Sequence, residues 1–207
     1  MTTIMGPKNL LIAIVLGGAL AAGVFVATKL NRPAELQSGF VVPLSNALPD
    51  FSLLDQSGGQ VNANTFRGQW DLVFFGFTNC PDICPTTLQV LANAKRELID
   101  SGATTLPRIV LVSVDPERDT PELLGQYVDY FGEGNLGVTG TLEGIKTLTA
   151  ALGIYFEKSP IESGDYGVDH SAAVLVINPD GEFSALFSAP HLVASYVHDL
   201  PIIMGDD

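Results

Sequence analysis

The sequence predicts an α/β domain, a sheet with helices on both faces, carried behind one N-terminal membrane helix. Three observations lead to that expectation. Residues 10–28 form a 19-residue run with 15 apolar side chains and no charge. Two further runs, DLVFFGF at 71–77 and RIVLVSV at 108–114, are almost wholly apolar after their first residue and rich in β-favouring residues, as strands buried on both faces are. Between and after them come segments with apolar residues at helical spacing.

The elements follow in order. Residues 1–9 are a short flank. At ~1.5 Å per residue the run at 10–28 spans ~28 Å, close to the ~30 Å hydrocarbon core of a bilayer, and reads as a transmembrane anchor. Its rival is a cleaved signal peptide, since Ala19-Leu20-Ala21 suits a small-x-small cleavage site. Against cleavage, the apolar run continues through Val24, Phe25 and Val26, and charge resumes only at Lys29 and Arg32. Lys8 and the amino terminus balance that pair, so flanking charge does not set the orientation. Residues 29–47, with Pro33 and Pro43, lack periodicity and read as a linker; the globular domain is expected over 48–207. Within it, a helix is expected over 85–102, with Pro85 in its first turn, Leu88, Leu91 and Leu98 on one face and Gly102 at its stop. A second helix over 120–131 begins at Pro121, a short strand lies near Gly137, and a third helix covers 141–152. Strands at 171–177 and 183–187 pair through the turn Pro179-Asp180-Gly181, and a last helix contains His198.

Composition narrows the function. The chain of 207 residues has 10 Lys and Arg against 23 Asp and Glu. Three of the ten basic residues precede Pro33 and no acid does, so the rest of the chain has a net charge of -16. Such a surface excludes a nucleic-acid backbone as partner, because that affinity comes from clustered Lys and Arg releasing counterions. Two cysteines are too few for a disulfide-dense scaffold or a four-cysteine zinc site.

Both cysteines, Cys80 and Cys84, fall in FTNCPDICPTTL, after the strongest strand and at the opening of the next helix. Unpaired N–H groups and the positive end of the helix dipole favour anions there, so the thiols are expected to ionise more readily than a free one. The spacing lets both sulfurs face one point, where they can close a disulfide or clasp a soft ion such as Cu(I). The plain alternative is two independent core cysteines. Of three histidines, His170 stands before a buried strand expected to neighbour the cysteine strand, and can reach the same sheet end; His191 and His198 suit solvated or capping positions. The segment VSVDPERDTPE places Asp115, Glu117, Arg118 and Asp119 at the carboxyl end of a strand, where α/β sites gather, although turn and N-cap chemistry explains it as well. Asp82 lies inside the cysteine loop, near the sulfurs or as a turn former.

The stretch LPDFSLLDQSGGQVNANTFRGQWDLVFFGFTNCPDICPTTL, with VSVDPERDTPE and YGVDHSAAVLVINPDGEF, resembles the Sco (SCO1/SenC) family over about residues 48–200. The resemblance implies a thioredoxin-like three-layer sandwich on a membrane anchor. It implies copper, as Cu(I) or Cu(II), held by Cys80, Cys84 and His170, with Asp169 supporting the site. It also implies delivery, from a copper donor protein, to the CuA domain of cytochrome c oxidase subunit II, or thiol-disulfide reduction of that subunit's cysteines by Cys80 and Cys84. The expected location is the bacterial inner membrane with the domain in the periplasm, or the mitochondrial inner membrane facing the intermembrane space. The chain departs from the family pattern at Asn79, where many relatives have histidine, and at Thr86 and Thr87, where they have acids. No proline precedes the strand expected at 171, unlike thioredoxins, which favours metal binding over general disulfide exchange.

Overall fold

The computed structural model describes residue 8 and residues 16–23, 35–160 and 166–205. The chain divides into two units, Met1–Glu35 and Leu36–Asp207. In the first, residues 16–23 are helical. Among the described residues no helix is long and apolar enough to cross a membrane. The greater part of the expected anchor over 10–28 lies outside the described residues.

The second unit is built on an eight-stranded mixed sheet in the order β1-β10-β9-β4-β5-β6-β2-β3. Its strands are β1 (Gly39–Ala47), β2 (Leu53–Asp55), β3 (Gln60–Val61), β4 (Asp71–Gly76), β5 (Arg108–Ser113), β6 (Leu136–Thr139), β9 (Val174–Ile177) and β10 (Glu182–Phe187). A separate two-stranded sheet pairs β7 (Phe156–Pro160) with β8 (Tyr166–His170). The helices are α1 (Ile83–Asp100), α2 (Pro121–Asp129), α3 (Leu142–Ala151) and α4 (Val193–Met204). β4, β5 and β6 run parallel, and β9 returns antiparallel against β4. Every residue of β4 is buried. Successive strand side chains point to opposite faces, so the sheet is covered on both. α1 and α4 pack against each other. Thr120 and Thr141 cap α2 and α3, accepting from the N–H groups of Leu123 (3.3 Å) and Gly144 (3.1 Å).

Two sequence expectations change, and β7 appears where no strand was expected. The linker expected over 29–47 contains β1, an edge strand antiparallel to β10. Its residues are mostly exposed and include Pro43, so no apolar alternation marked it. Its start is pinned by Asp199 of α4, which accepts from the backbone N–H groups of Gln37 (2.8 Å), Ser38 (2.9 Å) and Gly39 (2.7 Å). Burial alone would raise the Asp199 carboxyl, but these donors and His198 hold it below the usual carboxylate range. The strand expected over 171–177 begins only at Val174, and the residues before Ser171 form β8. Its partner β7, FEKSP, carries a single large apolar side chain and gave no strand signal.

Candidate metal centre

The site forms where the sheet's most buried strand meets a helix start. β4 ends at Gly76, and Cys80 turns back through its N–H to the carbonyl of Phe77 (3.3 Å). Cys84 follows in the first turn of α1, fully buried, while Cys80 is half-buried. Glycine is required at 76 because a β-carbon there would lie 2.9 Å from the Cys84 sulfur. His170 ends β8, and its Nε2 is 3.4 Å from Cys84 Sγ. The ligand atoms of Cys80, Cys84 and His170 all lie within 4.8 Å of one another; among the described residues this is the one group of three or more metal-capable side chains.

The imidazole is held in one orientation. Its Nδ1–H donates to the carbonyl of Ser171 (3.0 Å), and Phe74 and Phe77 meet it edge-on at 5.7 and 5.8 Å between ring centres. Nε2 therefore keeps its lone pair and turns it on the sulfurs, accepting from the Cys84 thiol. Burial lowers the pKa of His170, so the ring is neutral, the form that ligates. The expectation of a readily ionised thiol fails at Cys84. Burial pushes that thiol well above its usual range, a backbone hydrogen bond at Phe77 does not offset it, and nearby Cys80 adds to the rise. The helix dipole is present, but desolvation of a fully buried sulfur outweighs it. Two sulfurs and one neutral imidazole, with no fourth metal-capable side chain grouped with them among the described residues, match a soft ion of low coordination better than zinc.

The segment after β5 grips both halves of the site. Asp119, buried, accepts from the Thr78 N–H (3.1 Å), the Thr78 hydroxyl (2.6 Å) and the Ser113 hydroxyl (2.6 Å), fixing the start of the cysteine loop. Asp115, also buried, accepts from the Tyr166 hydroxyl (2.8 Å) and from Arg118 Nε. Arg118 Nη1 donates to the Tyr166 carbonyl (3.1 Å), and its guanidinium lies 3.9 Å from the centre of that ring. Lys158 of β7 pairs with Glu117 (2.8 Å) and lies 4.3 Å over Tyr166. Turn and cap chemistry, the plain reading of VSVDPERDTPE, is supplied by Thr120, while the two aspartates face inward and hold the ligand-bearing segments.

The SCO1/SenC family model matches residues 43–204. The chain belongs to the SCO1/SenC family. It is 39% identical over 188 residues to the mitochondrial protein SCO1 homolog of Homo sapiens, covering 87% of this chain and 60% of that one. It is 36% identical over 187 residues to the mitochondrial protein SCO2 homolog of Bos taurus, covering 88% and 70%. The crystal structure of Arabidopsis thaliana ScoI with copper bound superposes with a TM-score of 0.73 at 34% identity, over 77% of this chain and 99% of that one. The mixed α/β architecture is accordingly the thioredoxin-like fold of Sco structures.

Within this SCO1/SenC domain Asp82 and Asp169 line the cleft beside the ligand cluster without joining it. Asp82 stands at the N-cap position of α1 with its side chain exposed, accepting only from the Thr86 hydroxyl (3.3 Å). Asp169 is exposed and accepts from Ser159; it lines the cleft with His170 and acts on the imidazole as a nearby negative charge. Of the family departures, Asn79 is exposed, and Thr87 is buried with its hydroxyl unpaired. His191 is neither solvated nor capping: Nε2–H donates to the Ala172 carbonyl (2.6 Å) and Nδ1 accepts from the Tyr196 hydroxyl (2.8 Å). His198 pairs with Asp199 at 2.7 Å. Sequence reasoning missed Tyr166, Lys158 and His191. Tyr166 had a signal, since it shares the His170 face of the alternating YGVDH.

Proposed function

We propose that this protein is a copper metallochaperone that holds Cu(I) with Cys80, Cys84 and His170 and passes it to the CuA site of cytochrome c oxidase subunit II. The observation that carries the reading is the His170 Nε2 lone pair 3.4 Å from Cys84 Sγ, with Nδ1 committed to a carbonyl. Binding releases the thiol protons, and the positive ion offsets the burial that keeps the Cys84 thiol protonated. A three-donor site leaves copper open to a fourth ligand. The open side is the cleft lined by Phe77, Cys80, Pro81, Asp82 and His170. An acceptor thiolate entering there displaces half-buried Cys80 first and buried Cys84 last. A copper-bound relative and the shared fold support the choice of metal.

On this reading residues 10–28 anchor the chain in a bacterial inner membrane or its mitochondrial equivalent, and the domain faces the periplasm or intermembrane space, where a copper donor protein loads it. The domain's net acidity suits brief docking to a basic patch on a membrane partner. The test is anaerobic chelator competition on the reduced full-length chain followed by transfer to apo subunit II. One Cu(I) retained per chain, then lost to the acceptor, is expected; no retention overturns the reading.

The second reading is a thiol-disulfide reductase, favoured by the closeness of the two sulfurs and the partial exposure of Cys80. Cys80 as thiolate would attack a sulfur of the partner disulfide and expel the other as thiolate. Cys84, after losing its proton, would then attack the mixed disulfide, leaving the partner reduced and Cys80–Cys84 oxidised. Burial of the Cys84 thiol slows that second attack, which favours the metal reading. Cys84→Ser would trap the mixed disulfide if reduction is the activity, and an untrapped partner counts against it.

A further inference from the structure

Resting on the copper reading, we infer that His191 is a positioning residue for the imidazole ligand, acting through the three-residue link between β8 and β9. The link is Ser171-Ala172-Ala173. Its first residue is tied to Tyr155, Ser171 N–H donating to the Tyr155 carbonyl (2.9 Å) and Tyr155 N–H to the Ser171 hydroxyl (3.0 Å). Its second is tied to His191, whose Nε2–H donates to the Ala172 carbonyl at 2.6 Å. Between these ties sits the Ser171 carbonyl, the acceptor that fixes His170 Nδ1.

The direction of the chain is set from inside the core. Tyr196 is fully buried and packs against Phe187 at 4.3 Å between ring centres. Its hydroxyl donates to His191 Nδ1 at 2.8 Å, since a buried O–H needs an acceptor. That leaves the His191 proton on Nε2, the atom facing Ala172. Tyr196 thus sets the tautomer of His191, His191 sets the Ala172 peptide, and the adjoining peptide sets the tautomer of His170. With the Ala172 carbonyl released, the link can rotate, the Ser171 carbonyl leaves Nδ1, and His170 can present either nitrogen to the sulfurs.

The test uses full-length protein with Cu(I) as probe in chelator competition, and ¹⁵N NMR of the metal-free protein to report the His170 tautomer. His191→Phe keeps the ring and removes both hydrogen bonds. It is expected to weaken Cu(I) retention about three- to tenfold, below the usual ~10–100-fold for a group bonded directly to a ligand. It should also mix the His170 tautomers, and His191→Gln, which keeps a donor, should restore part of both. In a His170→Ala background His191→Phe should add nothing. Wild-type retention and an unchanged tautomer in His191→Phe overturn the proposal, as does an undiminished effect in the His170→Ala background. If His191→Phe does not fold, Tyr196→Phe is measured in the same way, and an unchanged tautomer there overturns it. If His170→Ala alone retains Cu(I) as wild type does, the copper site falls; the tautomer signal still decides whether His191 orients His170.

Discussion

The two halves of the candidate metal centre are built by different physics. The cysteines stand in the turn after β4 and in the first turn of α1, beyond a strand whose Leu72, Val73, Phe74 and Phe75 are at most 2% exposed. The histidine stands on a separate two-stranded sheet in which Val168 is the one buried apolar residue. A lone two-stranded hairpin is marginal in water, so its place depends on what fastens it. Here that is the polar grip of Asp115, Arg118, Glu117 and Lys158 around Tyr166, together with the ties on Ser171 and Ala172. The sulfur donors are fixed mainly by local chain geometry and the hydrophobic core, with Asp119 holding Thr78 at the start of their loop. The nitrogen donor depends more on long-range hydrogen bonds and ion pairs, added to the apolar contacts of Val168 and the edges of Phe74 and Phe77.

The largest expected effect tests the first half. Phe74→Ala should cost about 3–5 kcal/mol in global stability by denaturant unfolding, since it opens a cavity beneath the cysteine turn. A cost below about 1 kcal/mol would mean that β4 does not carry the core.

Asp115→Asn tests the second half. Weakening its charged hydrogen bonds to Tyr166 and Arg118 should cost about 1–3 kcal/mol, and locally. Hydrogen exchange should quicken for the β7 and β8 amides and leave β4 and β5 unchanged. Equal acceleration in β4 would show that the two halves open as one.

The sequence revealed these halves unequally, for the same physical reason. Cys80 and Cys84 are legible because strand, turn and helix start are contiguous and each has its own pattern. His170 is legible from its place before a buried strand and from the family resemblance, but the residues that orient its strand, such as Tyr166, are brought there by long-range contacts that no periodicity encodes. β1 was hidden by exposure and Pro43, and β7 by its polar residues. The ionisation of Cys84 was misjudged because sequence shows the helix start but not the burial.

Acidification gives a smaller effect. Burial lowers the pKa of both His170 and His191, so between their folded values and about 6.5 the unfolded chain binds more protons. Their contribution to stability is therefore complete above about pH 6.5 and is lost as pH falls. Asp71, raised by burial to about 6 despite Arg108, works in the opposite sense, so the slope is read as a difference between proteins. Urea unfolding at several pH values should show wild type losing more stability on acidification than His170→Ala; equal slopes would place that imidazole in water. The smallest change is Tyr166→Phe, which removes one hydroxyl bond to Asp115 and should cost about 0.5–1.5 kcal/mol by the same exchange measurement. No change would assign the grip to Arg118 and Lys158 alone.

The central claim is that the two halves meet to make one copper site. Anaerobic Cu(I) competition on the full-length chain, beside Cys80→Ser, Cys84→Ser and His170→Ala, tests it most directly. The account predicts one Cu(I) per wild-type chain and retention weakened about tenfold or more by each substitution. Wild-type retention by His170→Ala would contradict it, leaving a pair of thiols with no contribution from the hairpin.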